Sequence, residues 1–264
     1  MNSAQLDFRG AGSTDLLFVS GWLGDTRDWD AVRNRLASFA TGAYTPAGLS
    51  TVPPANGGWS FDRGRMELNR VVDSLAPSRL VVVGSSASGT VALASAAERN
   101  LRGVIAISAA PRWIGTDNYS FGMPMQAANE ILQSLRRSFA ATIKQVMPSA
   151  YLDEADPVIA ATVRDAIVER AASVATPNHL IEAFQNLWSI DITPRLASIR
   201  CPVLLVSGAR DHVVSSEVAR LMAAQIPDCE VDVIEGAGHL PHVTAADAVS
   251  RSIARFMKRL GGEA

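Results

Sequence analysis

The chain alternates short apolar runs with stretches of helical periodicity, and this alternation limits the fold more than any other feature of the sequence. Leu80–Val83 and Val104–Ile107 are continuous apolar runs, which is typical of strands covered by helices on both faces of a sheet. Leu17–Val19 is a shorter run of the same kind, and Asp28–Ala40 has the apolar spacing of a helix. Strands that alternate with helices predict a mostly parallel α/β sheet with right-handed crossovers.

The alternation stops in the middle of the chain, where only helical periodicities occur. One helix is predicted from Ile131 to Val146, and two more begin at the pairs Asp156-Pro157 and Thr176-Pro177. The alternation then resumes, with predicted strands at Pro202–Ser207 and Glu230–Ile234 and a last helix at Ala245–Leu260. We therefore predict one core domain, residues 1–112 and 190–264, and an all-helical cap at residues 113–189 inserted between two strands.

Charge and cysteine content exclude several classes of protein. The 264 residues contain 24 Lys and Arg against 26 Asp and Glu, a net charge of −2 that argues against a nucleic-acid-binding protein. Cys201 and Cys229 are too few for a disulfide framework and have no metal-ligand neighbours, so we predict no metal site. We interpret them as reduced thiols, and the alternative is a single disulfide between them. Met1–Asp7 lacks the features of a signal peptide, and no apolar segment is long enough to span lipid. These observations predict a cytoplasmic protein that does not associate with membranes.

The strand at Leu80–Val83 runs into Gly84-Ser85-Ser86-Ala87-Ser88-Gly89 and then into a helix. This order of strand, sharp turn and helix is typical of a nucleophile elbow, and Ser86 is its candidate nucleophile. The usual second glycine of the G-x-S-x-G pattern is Ser88 here. The alternative is a phosphate-binding loop, but neither the G-x-G-x-x-G pattern nor a Gly-Lys pair is present.

An acid and a base follow in the order that a serine nucleophile needs. Asp211 comes after the strand at Pro202–Ser207, and His239 follows the next strand on a loop of small residues. The order Ser86, Asp211, His239 places all three at strand ends on one edge of the sheet, which predicts a catalytic triad. His242 is the only serious competitor for the base. Ala87 and Trp22 are predicted to supply the two backbone N–H groups of an oxyanion hole.

The elbow, Asp211 and His239 resemble the α/β-hydrolase superfamily over nearly the whole chain. Gly21-Trp22, Ala87 and the segment Ser108–Trp113 are most similar to pimeloyl-[acyl-carrier protein] methyl ester esterases of biotin synthesis. The resemblance implies an α/β-hydrolase fold and a cytoplasmic carboxylesterase that cleaves the methyl ester of a carrier-tethered pimeloyl chain. Many superfamily members have His-Gly where this chain has Ser20-Gly21, so the hydrogen bonds that support its oxyanion hole must differ.

The resemblance also implies roles for residues of the cap and its entrance. Trp22 would line the acyl pocket, and we predict Trp113 and Phe139 as further substrate contacts, although the apolar cap residues can equally form helix-packing core. In that family, basic cap residues engage an acidic acyl carrier protein. The residues here that match by location are Arg136, Arg137, Lys144, Arg164 and Arg170.

The leading hypothesis is a serine carboxylesterase that works through an acyl-enzyme on Ser86 and needs no cofactor or metal. The same triad also serves C–C hydrolases, lactonases and perhydrolases, because the pocket and not the fold sets the reaction. A third hypothesis is a non-catalytic ligand-binding module with a residual hydrolase pocket.

Overall fold

A computed structural model describes residues 6–10, 15–55 and 57–261. Seven strands form one sheet: β1 (Asp7–Arg9), β2 (Leu16–Val19), β3 (Thr41–Tyr44), β4 (Val81–Ser85), β5 (Gly103–Ile107), β6 (Val203–Gly208) and β7 (Cys229–Ile234). Their order is β1-β3-β2-β4-β5-β6-β7, and every neighbouring pair is parallel except β1 with β3. This architecture confirms the predicted α/β fold class with a mostly parallel sheet.

The helices cover both faces of the sheet. They are α1 (Asp30–Arg35), α2 (Phe61–Asp73), α3 (Ala87–Ala96), α4 (Met125–Arg137), α5 (Phe139–Val146), α6 (Pro157–Ala172), α7 (Asn178–Asn186), α8 (Thr193–Leu196), α9 (Ser216–Ala223), α10 (Pro241–Thr244) and α11 (Ala246–Arg259). Alternate strand residues enter two apolar cores: Leu17 and Val82 face one, and Phe18 and Val83 face the other. Burial on both faces explains why these strands are continuously apolar.

Two strands were missed by the sequence analysis, and two predicted helices have different bounds in the structure. β1 and β3 were not predicted, because they are short and β3 contains Gly42 and Ala43, which have low strand propensity. The helix expected over Asp28–Ala40 ends at Arg35, since Leu36 has left the helical region with φ −110° and ψ 31°. The helix expected over Ile131–Val146 is two helices, because Ser138 between them is extended, with φ −159° and ψ 96°.

Helices α4 to α7 lie between β5 and β6 in the chain, within the segment that we predicted as a cap. Polar contacts tie them to the rest of the molecule: the Arg170 guanidinium binds the Asp28 carboxylate at 2.6 Å, and the Asn186 amide donates to the Trp59 carbonyl at 2.6 Å.

Cys201 and Cys229 are both free thiols. Within residues 6–10, 15–55 and 57–261, no helix is both long and apolar enough to cross a bilayer. The predicted absence of a signal peptide concerns mainly residues 1–5, which lie outside the described residues.

Candidate active site

Ser86 occupies a strained turn between β4 and α3. Its φ of 53° and ψ of −125° lie in a region that L-residues rarely adopt and that occurs mostly at functional sites. The glycines on either side permit the close crossing of strand and helix. A Cβ at Gly84 would lie 2.5 Å from the Ser88 carbonyl oxygen, and one at Gly89 would lie 2.9 Å from the Gly84 carbonyl oxygen. Small residues are therefore required on both sides of the candidate nucleophile.

The structure brings the three predicted residues into one hydrogen-bonded chain. The Ser86 hydroxyl lies 3.1 Å from His239 Nε2, and His239 Nδ1 lies 2.8 Å from Asp211 Oδ2. The Asp211 and His239 side chains are both fully buried. Hydrogen-bonded charges act strongly on one another where water is excluded, so this geometry can move a proton between the serine and the imidazole.

Backbone groups fix the Asp211 carboxylate. Oδ1 accepts hydrogen bonds from the amides of Val213 and Val214 at 2.8 and 2.9 Å, which leaves Oδ2 for the histidine. Gly208 at the end of β6 lets this loop approach the histidine loop, because a Cβ there would lie only 2.1 Å from the Gly238 carbonyl oxygen. The carboxylate thus holds one orientation toward the imidazole.

The loop that carries His239 is held by residues that follow α5. The His239 amide donates to the Tyr151 carbonyl at 2.9 Å, and the Tyr151 ring stands perpendicular to the imidazole with the ring centres 5.0 Å apart. The Gly238 amide donates to the Glu154 carboxylate at 2.9 Å, and burial raises the pKa of Glu154. Sequence reasoning missed Tyr151 and Glu154, because no local pattern marks a contact over such a long separation in the chain.

The competing histidines lie outside this chain of hydrogen bonds. His242 is buried, its ring stacks on Trp29 with centres 4.3 Å apart, and burial lowers its pKa to about 4. His179 is buried, and its Nε2 lies 3.0 Å from the Ser50 carbonyl oxygen. His212 is exposed beside Asp153. None of these three histidines therefore takes the place of His239 between Ser86 and Asp211.

The buried His242 predicts a loss of stability in acid. Its pKa falls from 6.5 to about 4 on folding, so the folded state holds the neutral ring and the unfolded state binds the proton more readily. The stability is fully present above pH 6.5 and declines as the pH falls toward 4, by up to about 1.4 kcal/mol per pH unit. We expect His242→Phe, which keeps a ring against Trp29, to lose less unfolding free energy between pH 7 and pH 4.5 in urea titrations. Equal losses in the two proteins would contradict the assignment.

Two backbone amides near Ser86 are available to a ligand. In the described part of the chain, the Trp22 and Ala87 N–H groups donate to no protein acceptor. Ala87 directly follows the nucleophile, and a Cβ at Gly21, next to Trp22, would lie 3.2 Å from Ser86 Cβ. The structure thus places both predicted oxyanion-hole residues next to Ser86.

One apolar chamber adjoins the nucleophile, and a second chamber shares part of its lining. The inner chamber has a volume of about 190 Å³, and Ser86, His239 and Trp113 are among the residues that line it. The outer chamber has a volume of about 240 Å³ and extends to Ile143 of α5. The residues that line both chambers, and so lie between them, are Trp22, Met123, Tyr151, Phe184 and Val213.

Of the three predicted substrate contacts, two line a chamber and one does not. Trp22 and Trp113 line the inner chamber, as do two further aromatic residues of the cap segment, Phe184 and Trp188. Phe139 lines neither chamber, and its ring packs edge-on against Trp22 with the ring centres 6.1 Å apart. Because Phe139 starts α5 behind Trp22, it supports the chamber wall from outside.

The five basic residues expected to meet a carrier protein also differ in environment. Arg170 is not available to one, because its guanidinium binds the Asp28 carboxylate and the Leu23 carbonyl in a largely buried site. Arg164 pairs with its neighbour Asp165. Arg136 and Arg137 are exposed in the last turn of α4, and Lys144 is exposed in the last turn of α5; we call these three the α4–α5 basic residues.

A Ser–His–Asp chain at the edge of a mostly parallel sheet defines the α/β-hydrolase class of protein. Residues 16–252 match the model of the alpha/beta hydrolase family, and the chain belongs to that family. It is 25% identical to the pimeloyl-[acyl-carrier protein] methyl ester esterase of Nitrosospira multiformis, covering 92% of this chain and 94% of the relative. It is 28% identical to the enzyme of the same name from Stenotrophomonas maltophilia, covering 97% and 96%.

Solved structures share the fold at lower identity. A bromoperoxidase from Bacillus anthracis superposes with a TM-score of 0.87 at 17% identity, covering 96% of this chain and 94% of that one. A thermophilic esterase from Thermogutta terrifontis superposes with a TM-score of 0.81 at 22% identity, covering 97% and 93%. Since one fold hosts many reactions, these likenesses carry the fold alone.

Proposed function

We propose that this protein is a cytoplasmic serine ester hydrolase that forms an acyl-enzyme on Ser86. The observation that carries the proposal is the hydrogen-bonded chain from Ser86 through the buried His239 to the buried Asp211, with Ser86 and His239 lining an apolar chamber. A serine hydroxyl is a weak nucleophile on its own, and an adjacent oriented base is what activates it.

In the first half-reaction, the Ser86 oxygen attacks the ester carbonyl carbon while His239 Nε2 takes the hydroxyl proton. Asp211 holds the imidazole in the tautomer that exposes Nε2 and stabilises the imidazolium that forms. The Trp22 and Ala87 N–H groups bind the oxyanion of the tetrahedral intermediate. His239 then gives its proton to the departing alcohol oxygen as the C–O bond breaks, which leaves the acyl group on Ser86.

In the second half-reaction, a water molecule takes the place of the alcohol. His239 accepts a proton from this water as its oxygen attacks the acyl carbon, and the same two amides bind the second oxyanion. Collapse of the intermediate breaks the bond to the Ser86 oxygen, which recovers a proton from His239. The carboxylic acid leaves and the enzyme returns to its starting state.

The two chambers support a substrate with an apolar acyl chain of medium length. Taken together, their volumes fall within the roughly 300–1,000 Å³ typical of small-molecule sites. A chain that starts at Ser86 and passes Trp22 would bury its methylene groups in both chambers. The relatives that carry the name pimeloyl-[acyl-carrier protein] methyl ester esterase support a pimeloyl methyl ester as this substrate.

The same relatives support a substrate tethered to an acyl carrier protein. Arg136, Arg137 and Lys144 form the only part of the predicted basic set that is exposed without an ion pair among the described residues. The whole chain has a net charge of −2, so attraction to an acidic carrier would need such a local patch. We therefore assign the carrier contact to the α4–α5 basic residues.

Ester kinetics across acyl lengths test the proposed function. We expect kcat/KM for p-nitrophenyl esters to rise from acetate to octanoate, because each buried methylene contributes about 0.8 kcal/mol. Ile143→Trp, which fills the outer chamber, should reduce octanoate turnover and spare acetate. Val158→Trp is the matched control, since Val158 is an exposed residue of α6. Cleavage of lactones or carbon–carbon bonds with negligible ester turnover would contradict the ester assignment.

The carrier arm of this experiment uses one acyl methyl ester in two forms, on acyl carrier protein and on a small thiol. Charge reversal at Arg136, Arg137 and Lys144 is expected to lower kcat/KM for the carrier-bound form at low salt and to leave the small-thiol form unchanged. An equal effect on both forms would overturn the carrier contact while leaving the esterase assignment intact.

A further inference from the structure

We propose that Ser85 and Ser88, on either side of the nucleophile, are positioning residues that orient the Trp22 N–H of the oxyanion hole. They do so by holding the peptide unit between Ser20 and Gly21, which we call the Ser20–Gly21 peptide. This inference rests on the proposed function, because it assigns the Trp22 amide to the oxyanion. It gives a role to the serine-rich composition of the elbow, which the Ser86 mechanism does not use.

The two serine hydroxyls bind opposite ends of the same peptide unit. The Ser88 hydroxyl donates to the Ser20 carbonyl at 2.7 Å, and the Gly21 amide donates to the Ser85 hydroxyl at 3.2 Å. Ser20, Ser85 and Ser88 are all buried. A peptide unit is planar, with its carbonyl and N–H pointing in opposite directions. Two bonds at opposite ends therefore fix the rotation of the plane, which neither bond achieves alone.

The backbone bonds around this peptide leave one amide free. The Ser20 amide donates to the Tyr44 carbonyl at 3.1 Å, and the Gly21 carbonyl accepts from the Gly24 amide at 3.0 Å. Every backbone polar group from the Ser20 N–H to the Gly21 carbonyl is thus paired, and the next group is the Trp22 N–H. Glycine has more conformational freedom than any other residue type. The direction of the Trp22 N–H therefore depends on the hydrogen bonds that fix the peptide planes on both sides of Gly21.

The Ser20 side chain secures the same segment from outside. Its hydroxyl donates to the Asp25 carbonyl at 2.9 Å and accepts from the Trp29 indole N–H at 3.1 Å. The two departures from the common hydrolase pattern, Ser20 and Ser88, are therefore in direct contact through the Ser20 carbonyl. A glycine at position 88 has no hydroxyl and could not make this bond. In a chain that has Ser20 in place of histidine, the Ser88 hydroxyl thus holds the Ser20–Gly21 peptide that precedes the Trp22 N–H.

Alanine substitutions test the proposal through kcat. Removing a whole oxyanion donor costs about 10²–10³-fold in kcat, so a misoriented donor should cost about tenfold. We expect Ser88→Ala and Ser85→Ala each to lower kcat by about that factor with KM nearly unchanged, since the ground-state carbonyl depends less on the donor. The affinity for a trifluoromethyl ketone, which forms a tetrahedral adduct with the serine, should fall in the same proportion as kcat/KM.

Ser95→Ala is the matched control for loss of a buried hydroxyl. Ser95 lies in α3 with Ser88, is fully buried, and donates to the Asn69 side-chain oxygen at 2.5 Å, away from the oxyanion loop. We expect this variant to melt at a lower temperature than the wild type and to keep its kcat and its ketone affinity. The comparison separates positioning from general stability, because both substitutions remove one buried hydrogen bond from the same helix.

Two results would overturn the positioning role. One is unchanged kcat in both Ser85→Ala and Ser88→Ala; the other is a fall in kcat with no change in ketone affinity. The Ser88→Gly variant provides a second reading if Ser88→Ala fails to fold, because glycine is the usual residue at this point of the elbow. Failure of the proposed function would look different: the wild-type protein itself would form no ketone adduct on Ser86.

Discussion

Ser86→Ala is expected to lower ester hydrolysis by at least about 10⁴-fold while leaving the fold intact. The substitution removes only the oxygen that attacks the carbonyl, and alanine can keep the backbone conformation that serine holds at φ 53°. The Trp22 and Ala87 amides stay in place, so some acceleration over the uncatalysed rate should persist. Steady-state kinetics with p-nitrophenyl butyrate, together with a thermal melt, measure both effects.

The control for this prediction adds His239→Ala to Ser86→Ala in a double variant. Residues that act as one catalytic unit are strongly non-additive, so the double variant Ser86→Ala/His239→Ala should be no less active than Ser86→Ala alone. Multiplying losses would instead mean that the serine and the histidine act independently. Full activity in Ser86→Ala would remove the serine from the reaction altogether.

Gly208→Ala is expected to cause the largest loss of stability. A Cβ at this position would lie 2.1 Å from the Gly238 carbonyl oxygen and 2.3 Å from the Ala237 carbonyl oxygen, both of which are backbone atoms. Because backbone moves only at high cost, we expect a destabilisation of about 3 kcal/mol or more. Any folded fraction should also lose activity, since the Asp211 and His239 loops would be forced apart. Urea unfolding and ester kinetics test the two parts.

Gly103→Ala is the matched substitution in the neighbouring strand β5. There the nearest atoms to an added Cβ are side-chain atoms of Leu260 and Phe256, at 3.1 Å, which can yield slightly. We expect a much smaller loss of stability and normal kinetics. If Gly208→Ala and Gly103→Ala behaved alike, the close approach of the two loops would not be what Gly208 provides.

The sequence was sufficient to predict the sheet class and the three residues that meet at its edge. Ser86, Asp211 and His239 each follow an apolar strand, and parallel strands end at one edge of a sheet, so their meeting follows from topology. The hydrogen-bonded geometry of 3.1 and 2.8 Å is the consequence of that topology. Local pattern and connectivity together were enough for this part of the site.

The contacts that hold the site depend on long-range packing, and local sequence patterns do not reveal them. Tyr151 and Glu154 reach the His239 loop from the segment after α5, which lies between two predicted helices and carried no prediction of its own. Arg170 was expected at the surface, but its partner Asp28 lies 142 residues away in the chain. Phe139 was expected in the pocket because it is aromatic and in the cap, yet the break at Ser138 turns it behind Trp22.

Ser20 and Ser88 illustrate the same limit for residues that the sequence did single out. Both were recognised as departures from the usual hydrolase pattern, and each could be described only by what it replaced. The structure relates them through one hydrogen bond of 2.7 Å from the Ser88 hydroxyl to the Ser20 carbonyl. A hydrogen bond between residues so far apart in the chain is visible only in the structure.

Labelling with a fluorophosphonate tests most directly the claim that Ser86 is an activated nucleophile. The reagent forms a covalent bond with a serine that a neighbouring base has activated, and peptide mass spectrometry identifies the residue. We predict one label per chain, on the peptide that contains Ser86, appearing in step with the loss of ester hydrolysis and absent from Ser86→Ala. A protein that hydrolyses esters yet resists the label, or that carries it on another residue while losing activity, would contradict the assignment.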